Sequence, residues 1–118
     1  MRPRVAVGPA VVQRVEPVDG DRGVLCDTPV VLHLSCPVDP ASLRTGTLEV
    51  HDGDGAVPVR REAIGGGRVL VLWPERRLRP GVEHVVDAQG LRDRLGREVA
   101  PHRSRFTPGP LGRDEITI

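Results

Sequence analysis

Val30-Val31-Leu32-His33-Leu34-Ser35, closed by Cys36-Pro37-Val38-Asp39-Pro40, decides how the chain folds. Side chains alternate across a strand, so Val30, Leu32 and Leu34 share one face and Val31, His33 and Ser35 the other. The second set is the more polar, which turns the first toward a core. Two prolines and an aspartate then stop the strand. The same pattern of short β-branched run and turn cluster recurs at Val11–Val15, Thr47–His51, Ala56–Arg61, Arg68–Trp73, Val82–Ala88 and Arg103–Thr107. No eleven-residue window shows helical apolar spacing without a Pro or Gly inside it. Seven short strands so spaced point to an all-β antiparallel sandwich or barrel.

The separators carry turn chemistry. Pro17-Val18-Asp19-Gly20 ends the first strand, Gly65-Gly66-Gly67 makes a tight connection, and Arg79-Pro80-Gly81 precedes the sixth strand. Asp52-Gly53-Asp54-Gly55 is expected to join the runs on either side of it as a hairpin, because Asp-Gly tolerates positive φ.

With 118 residues, 38% hydrophobic and 28% charged, the chain has the size of one domain and enough apolar surface for a core. Residues 1–10 read as an N-terminal extension, 11–108 as the domain and 109–118 as a C-terminal tail. Within the tail, Glu115-Ile116-Thr117-Ile118 alternates and suits a short strand at a sheet edge, here or on a neighbour.

All 17 basic residues are arginine, and they are balanced to a net charge of +1, which leaves no electrostatic footprint for nucleic acid. Trp73 and Phe106 are the aromatic residues, too few to stack single-stranded bases or sugars. Gly8-Pro9 breaks the apolar start, so a secretory signal is not expected, and no run approaches a membrane span. The compartment reads as cytoplasmic or part of an assembled particle, or as cell surface if the chain is excised from a longer secreted one. Cys26 and Cys36 bracket an extended strand, about 25–33 Å apart at ~3.3 Å per residue. That is far beyond disulfide reach, so they do not pair within the chain and read as two free thiols in a reducing compartment or, alternatively, as one bonding another chain.

The turn motifs line up with a known pattern. Pro17, Asp19-Gly20 and Gly23-Val24 come first, and Leu34-Ser35-Cys36-Pro37-Val38-Asp39-Pro40-Ala41-Ser42-Leu43 follows. Trp73-Pro74 and Leu78-Arg79-Pro80-Gly81 come later, then Leu91-Arg92-Asp93-Arg94-Leu95-Gly96-Arg97 and a closing Phe106-Thr107. In this order, residues 11 to about 108 resemble the bacterial immunoglobulin-like domains of surface-layer proteins. The resemblance implies an immunoglobulin-like antiparallel β-sandwich of about seven strands. It implies little about function, because that fold hosts many roles. Asp39 and Asp93 are expected to close turns through backbone N–H groups two residues on, and Gly20, Gly81 and Gly96 to take positive φ. Leu78 and Leu91 are expected to plug the ends of the sandwich. Where the family usually has a corner tyrosine, this chain has His84, and its Phe and Asn positions hold Leu34 and Arg97.

No catalytic constellation emerges. His33, His51, His84 and His102 fall on four different strands, and no zinc spacing occurs. Cys36 beside a histidine lacks a third member. Asp52 and Asp54 offer two carboxylates in a four-residue turn, well short of a calcium loop. No catalytic, cofactor or metal residues are assigned, and no nucleic acid, membrane insertion or small-molecule ligand is expected. Arg103 and Arg105 share a strand face that suits a basic stripe for an acidic protein or polysaccharide.

The sharpest surface signal is Arg68–Trp73, apolar on both faces. Leu70 and Leu72 take the core side, which leaves Val69, Val71 and Trp73 outside, beside Val31 of the neighbouring strand. These four residues form the expected contact patch for a protein partner or neighbouring subunit. The reading is a non-catalytic structural or interaction module that docks onto a larger assembly or neighbouring domain. Two alternatives stay open: an accessory subunit decorating a phage-tail-like or other particle, and a carbohydrate-binding or enzyme-associated domain.

Overall fold

The computed structural model describes residues 9–109. The extended run at the start, Val12–Glu16 (β1), is followed by Asp21–Val24 (β2) and Val30–Leu34 (β3). A one-turn helix, Ser42–Thr45 (α1), leads into Thr47–His51 (β4). Val59–Ile64 (β5), Val69–Pro74 (β6), His84–Gln89 (β7) and His102–Pro108 (β8) complete the chain. Two four-stranded sheets result, in the order β1-β3-β6-β5 and β2-β8-β7-β4. All strand pairs are antiparallel except β2 with β8. This is the expected immunoglobulin-like β-sandwich, with eight strands. Residues 1–8 and 110–118, including the alternating Glu115–Ile118, lie outside the described residues. Among those described, no helix is long and apolar enough to cross a membrane.

The alternation read from β3 is realised. Val30, Leu32 and Leu34 are buried, and Val31 and His33 are half-buried. Leu70 and Leu72 of β6 join them against Leu48, Val50, Val86 and Phe106 of the opposite sheet. Leu78 and Leu91 are buried in the same cluster, as expected for plugs. His84 fills the corner position. It is fully buried, its ring stacks 5.3 Å from Phe106, and its Nδ1 lies 2.8 Å from the Val82 carbonyl.

Two features depart from the sequence reading. The first is β2, a strand built from Asp21-Arg22-Gly23-Val24, whose composition carries no strand signal; it forms because β8 offers it a ladder. The second is the Asp52–Gly55 turn. It closes locally, with Asp52 N–H donating to Gly55 O at 3.1 Å and a bridge between His51 and Ala56. The flanking strands then part, β4 into one sheet and β5 into the other. Beyond the Val57–Val50 bond, Leu48 O of β4 accepts from the Arg61 side chain while Pro58 O accepts from the Glu75 N–H next to β6, and β5 begins later than expected, at Val59. Gly65–Gly67 does form the tight link between β5 and β6, with all three glycines at positive φ.

Candidate interaction surface

The four residues singled out on the sequence share the outer face of the β1-β3-β6-β5 sheet. Val31 stands opposite Val71 across β3 and β6, with Val69 and Trp73 two residues to either side along β6. Their exposures differ. Trp73 is 37% exposed and Val31 and Val69 are half-buried, but Val71 is only 5% exposed. It is absent from the interior cluster, so the side chains covering it are those of the outer face. The expected row of four exposed residues is therefore corrected to three around a closed floor. Ile64, 44% exposed and paired with Val69, extends the strip; it was missed because β5 was expected to end at Arg61.

Charged side chains fence the strip on both long sides. On β5, Arg60 lies opposite Trp73 and Glu62 opposite Val71. The Arg60 guanidinium sits 5.6 Å from the Trp73 ring centroid, and Trp73 Nε1 donates to Glu62 Oε1 at 2.9 Å. The indole is thereby held at one orientation with its polar atom used and ring surface left to solvent. On β1, Arg14 lies 3.2 Å from Glu16 and from His33 Nε2. Each fence holds both signs of charge.

Elsewhere the polar groups are engaged in turns. Asp39 Oδ1 accepts from the Ala41 N–H at 3.1 Å. Asp93, 2% exposed, accepts from the N–H groups of Leu95 and Arg97 at 2.9 and 2.8 Å and from Arg97 Nε at 2.7 Å. Burial pushes the Asp93 carboxyl up, but these donors together outweigh it and hold the group below the usual carboxylate range. Asp52 is also lowered, first by the Asp54 N–H, against burial, and with help from Arg79. Arg79 lies 2.6 Å from Asp54 and 3.9 Å from Asp52, so the two carboxylates of that turn face a cation already. Cys26 is buried and Cys36 half-buried, both as free thiols. A concavity of about 260 Å³ beside β1 is lined by Val12, Val15, Val18 and His102 among others. Burial lowers the His102 pKa, with Asp19 opposing. Among the described residues, no group of three or more His, Cys, Asp or Glu side chains is placed to hold a metal ion.

No protein-family model matches the chain, and no curated protein matches it. Solved structures do. Surface layer protein SbsC, in its domains 1–6, aligns over 86% of this chain at 18% identity and a TM-score of 0.63. The aligned part is 14% of that SbsC chain, so this chain spans a small fraction of it. CopC from Methylosinus trichosporium OB3b aligns over 86% of this chain and 94% of its own, at 20% identity and a TM-score of 0.70. L,D-transpeptidase 3 from Mycobacterium tuberculosis aligns over 85% of this chain and 37% of its own, at 22% identity and a TM-score of 0.59. These likenesses establish an immunoglobulin-like β-sandwich fold.

Proposed function

We propose that the domain is a non-catalytic interaction module that docks a protein partner on the outer face of the β1-β3-β6-β5 sheet. The observation that carries this reading is the apolar strip of Val31, Val69, Ile64 and Trp73 over the closed floor of Val71. Interfaces gain most from a desolvated apolar centre with a polar rim, and tryptophan is enriched where binding energy concentrates. The fences of Arg14, Glu16, Arg60 and Glu62 supply such a rim. Similar domains that form one part of longer chains, as in SbsC, also support a role in packing against neighbours.

Co-purification from the native source tests the reading, with the full chain carrying Trp73 or Trp73→Ala. The partner recovered with the parent chain should bind the variant about 30-fold more weakly, the effect of losing a tryptophan anchor. The thermal midpoint should move little, because the indole is already partly in water. Equal recovery on both chains, or loss of folding alongside loss of binding, overturns the assignment.

A further inference from the structure

A sandwich has four edge strands, and an edge leaves backbone N–H and C=O groups without a ladder partner. Three of the four are blunted here. β1 carries a register shift between Val12 and Arg14 and stops at Pro17. β2 has four residues and its own shift around Gly23. On β4, the Leu48 carbonyl accepts from Arg61 Nε at 3.0 Å and the Val50 carbonyl from the Val57 N–H at 2.7 Å.

β5 differs. It pairs with β6 in unbroken register over all six residues, Val59 to Ile64, and five of the six are exposed. The Glu75 N–H donates to the Pro58 carbonyl at 2.9 Å, which fixes the phase of the ladder. Bonded pairs alternate in antiparallel sheets, so Arg60, Glu62 and Ile64 bond to β6. Val59, Arg61 and Ala63 therefore turn their backbone groups to the free edge, and β6 is the one ladder partner of β5 among the described residues.

We infer that this edge pairs with the β5 of a second copy of the chain, antiparallel about a two-fold axis centred on Arg61. Charge selects that register. Centred on Arg61, Arg60 faces Glu62 of the second copy and Glu62 faces its Arg60, giving two opposite-charge pairs on the outer face, while Val59 faces Ala63. Centred on Arg60, two Arg60 side chains meet; centred on Glu62, two Glu62 side chains meet. Like charges directly opposite destabilise a ladder, whereas opposite charges support it. The central Arg61 pair lies on the inner face. Each of its guanidiniums is already drawn toward its own sandwich by the bond to Leu48 O. Glu62 uses Oε1 for Trp73 and for Arg60 of its own chain, which leaves Oε2 to the second copy. The contact runs along a strand edge, and its two charged residues, Arg60 and Glu62, also form the β5 side of the rim around the sheet-face strip.

Sedimentation of the full chain across a range of concentrations tests the pairing. A reversible dimer is expected. Arg60→Glu alone, or Glu62→Arg alone, turns both attractive pairs repulsive and should weaken the dimer about tenfold or more. The double variant Arg60→Glu/Glu62→Arg restores opposite charges across the axis and should restore the dimer. Far-ultraviolet spectra and thermal midpoints confirm that each variant is folded. A monomer at every concentration, a dimer indifferent to the single changes, or a double variant no better than the singles overturns the inference.

Discussion

On the outside of the β1-β3-β6-β5 sheet, one cross-strand row reads Glu16, Val31, Val71, Glu62: charge, apolar, apolar, charge. On the outside of the other sheet, the corresponding rows read Glu49, Asp87, Arg103 and His51, Val85, Arg105. Both faces are built on the same pleat and cover the same core. In the second, polar contacts run along and between strands: ion pairs of Asp87 with Arg103 at 3.6 Å and Arg105 with Glu83 at 3.5 Å, and Glu49 Oε1 at 2.9 Å from His51 Nε2. The expected basic stripe of Arg103 and Arg105 exists as geometry, but each arginine has an acidic neighbour. The comparison separates a face covered by charged contacts from one that keeps apolar side chains between two charged fences.

The largest test sets inside against outside on a single strand. Leu72, fully buried, and Trp73, 37% exposed, are adjacent on β6. Leu72→Ala should cost about 2–5 kcal/mol in denaturant unfolding, because the deleted volume leaves a cavity between the sheets. A loss below about 0.5 kcal/mol would mean that the two faces of β6 are exchanged and would remove the basis for the strip.

Acid should come next, through Asp52, Asp93 and His102. Asp52 and Asp93 have lowered pKa values in the fold, so the stability they contribute is complete above the ordinary carboxylate pKa of about 3.9. It is lost as pH falls through their lower folded values. His102, also lowered, adds a smaller loss that starts below about pH 6.5 and completes at its own folded pKa. The thermal midpoint should therefore sag slightly from pH 7 to 5 and drop steeply below pH 4. A midpoint flat down to pH 3 would show that these turn contacts do not bear on folding.

Much of this was legible in the residues. Period-two alternation put Leu70 and Leu72 inside and Val69, Val71 and Trp73 outside, and the apolar character of both sets marked the strip. Turn chemistry at Asp39 and Asp93 was readable because it is local, an acceptor and a donor two residues apart. What escaped depended on partners distant in sequence. β2 exists through Phe106, Thr107 and Pro108, some 85 residues on, and its own composition could not announce it. The parting of β4 and β5 is set by partners 13 and 17 residues away, Arg61 Nε on Leu48 O and the Glu75 N–H on Pro58 O. Val71, closed between Val31 of β3 and Glu62 of β5, escaped because the sequence reading places β5 three residues too early.

Val71 gives a finer test of the two faces. Val71→Ala should cost about 1–2 kcal/mol, since roughly two methyl groups leave a closed site at ~0.8 kcal/mol each. Val85→Ala, at a half-buried position on the charged face, should cost less than half as much. Equal costs measured in urea would mean that both faces are equally wet and that the strip has no packed floor.

The smallest effect belongs to the charged face itself. Arg103 and Asp87 are paired at 3.6 Å, with the arginine side chain 60% exposed to solvent that screens it. Surface pairs of this kind are worth about 0–1 kcal/mol, so Arg103→Gln should lower stability by about 0.5 kcal/mol or less. Raising salt to 1 M, where the screening length is about 3 Å, should remove most of the difference between the variant and the parent chain. The small stability change of Trp73→Ala, measured the same way, should largely survive high salt, because the apolar part of the indole's packing is not screened. If instead the two variants respond alike to salt, the Arg60 and Glu62 contacts would dominate at Trp73, and the contrast between an apolar and a charged face would shrink to a difference in composition.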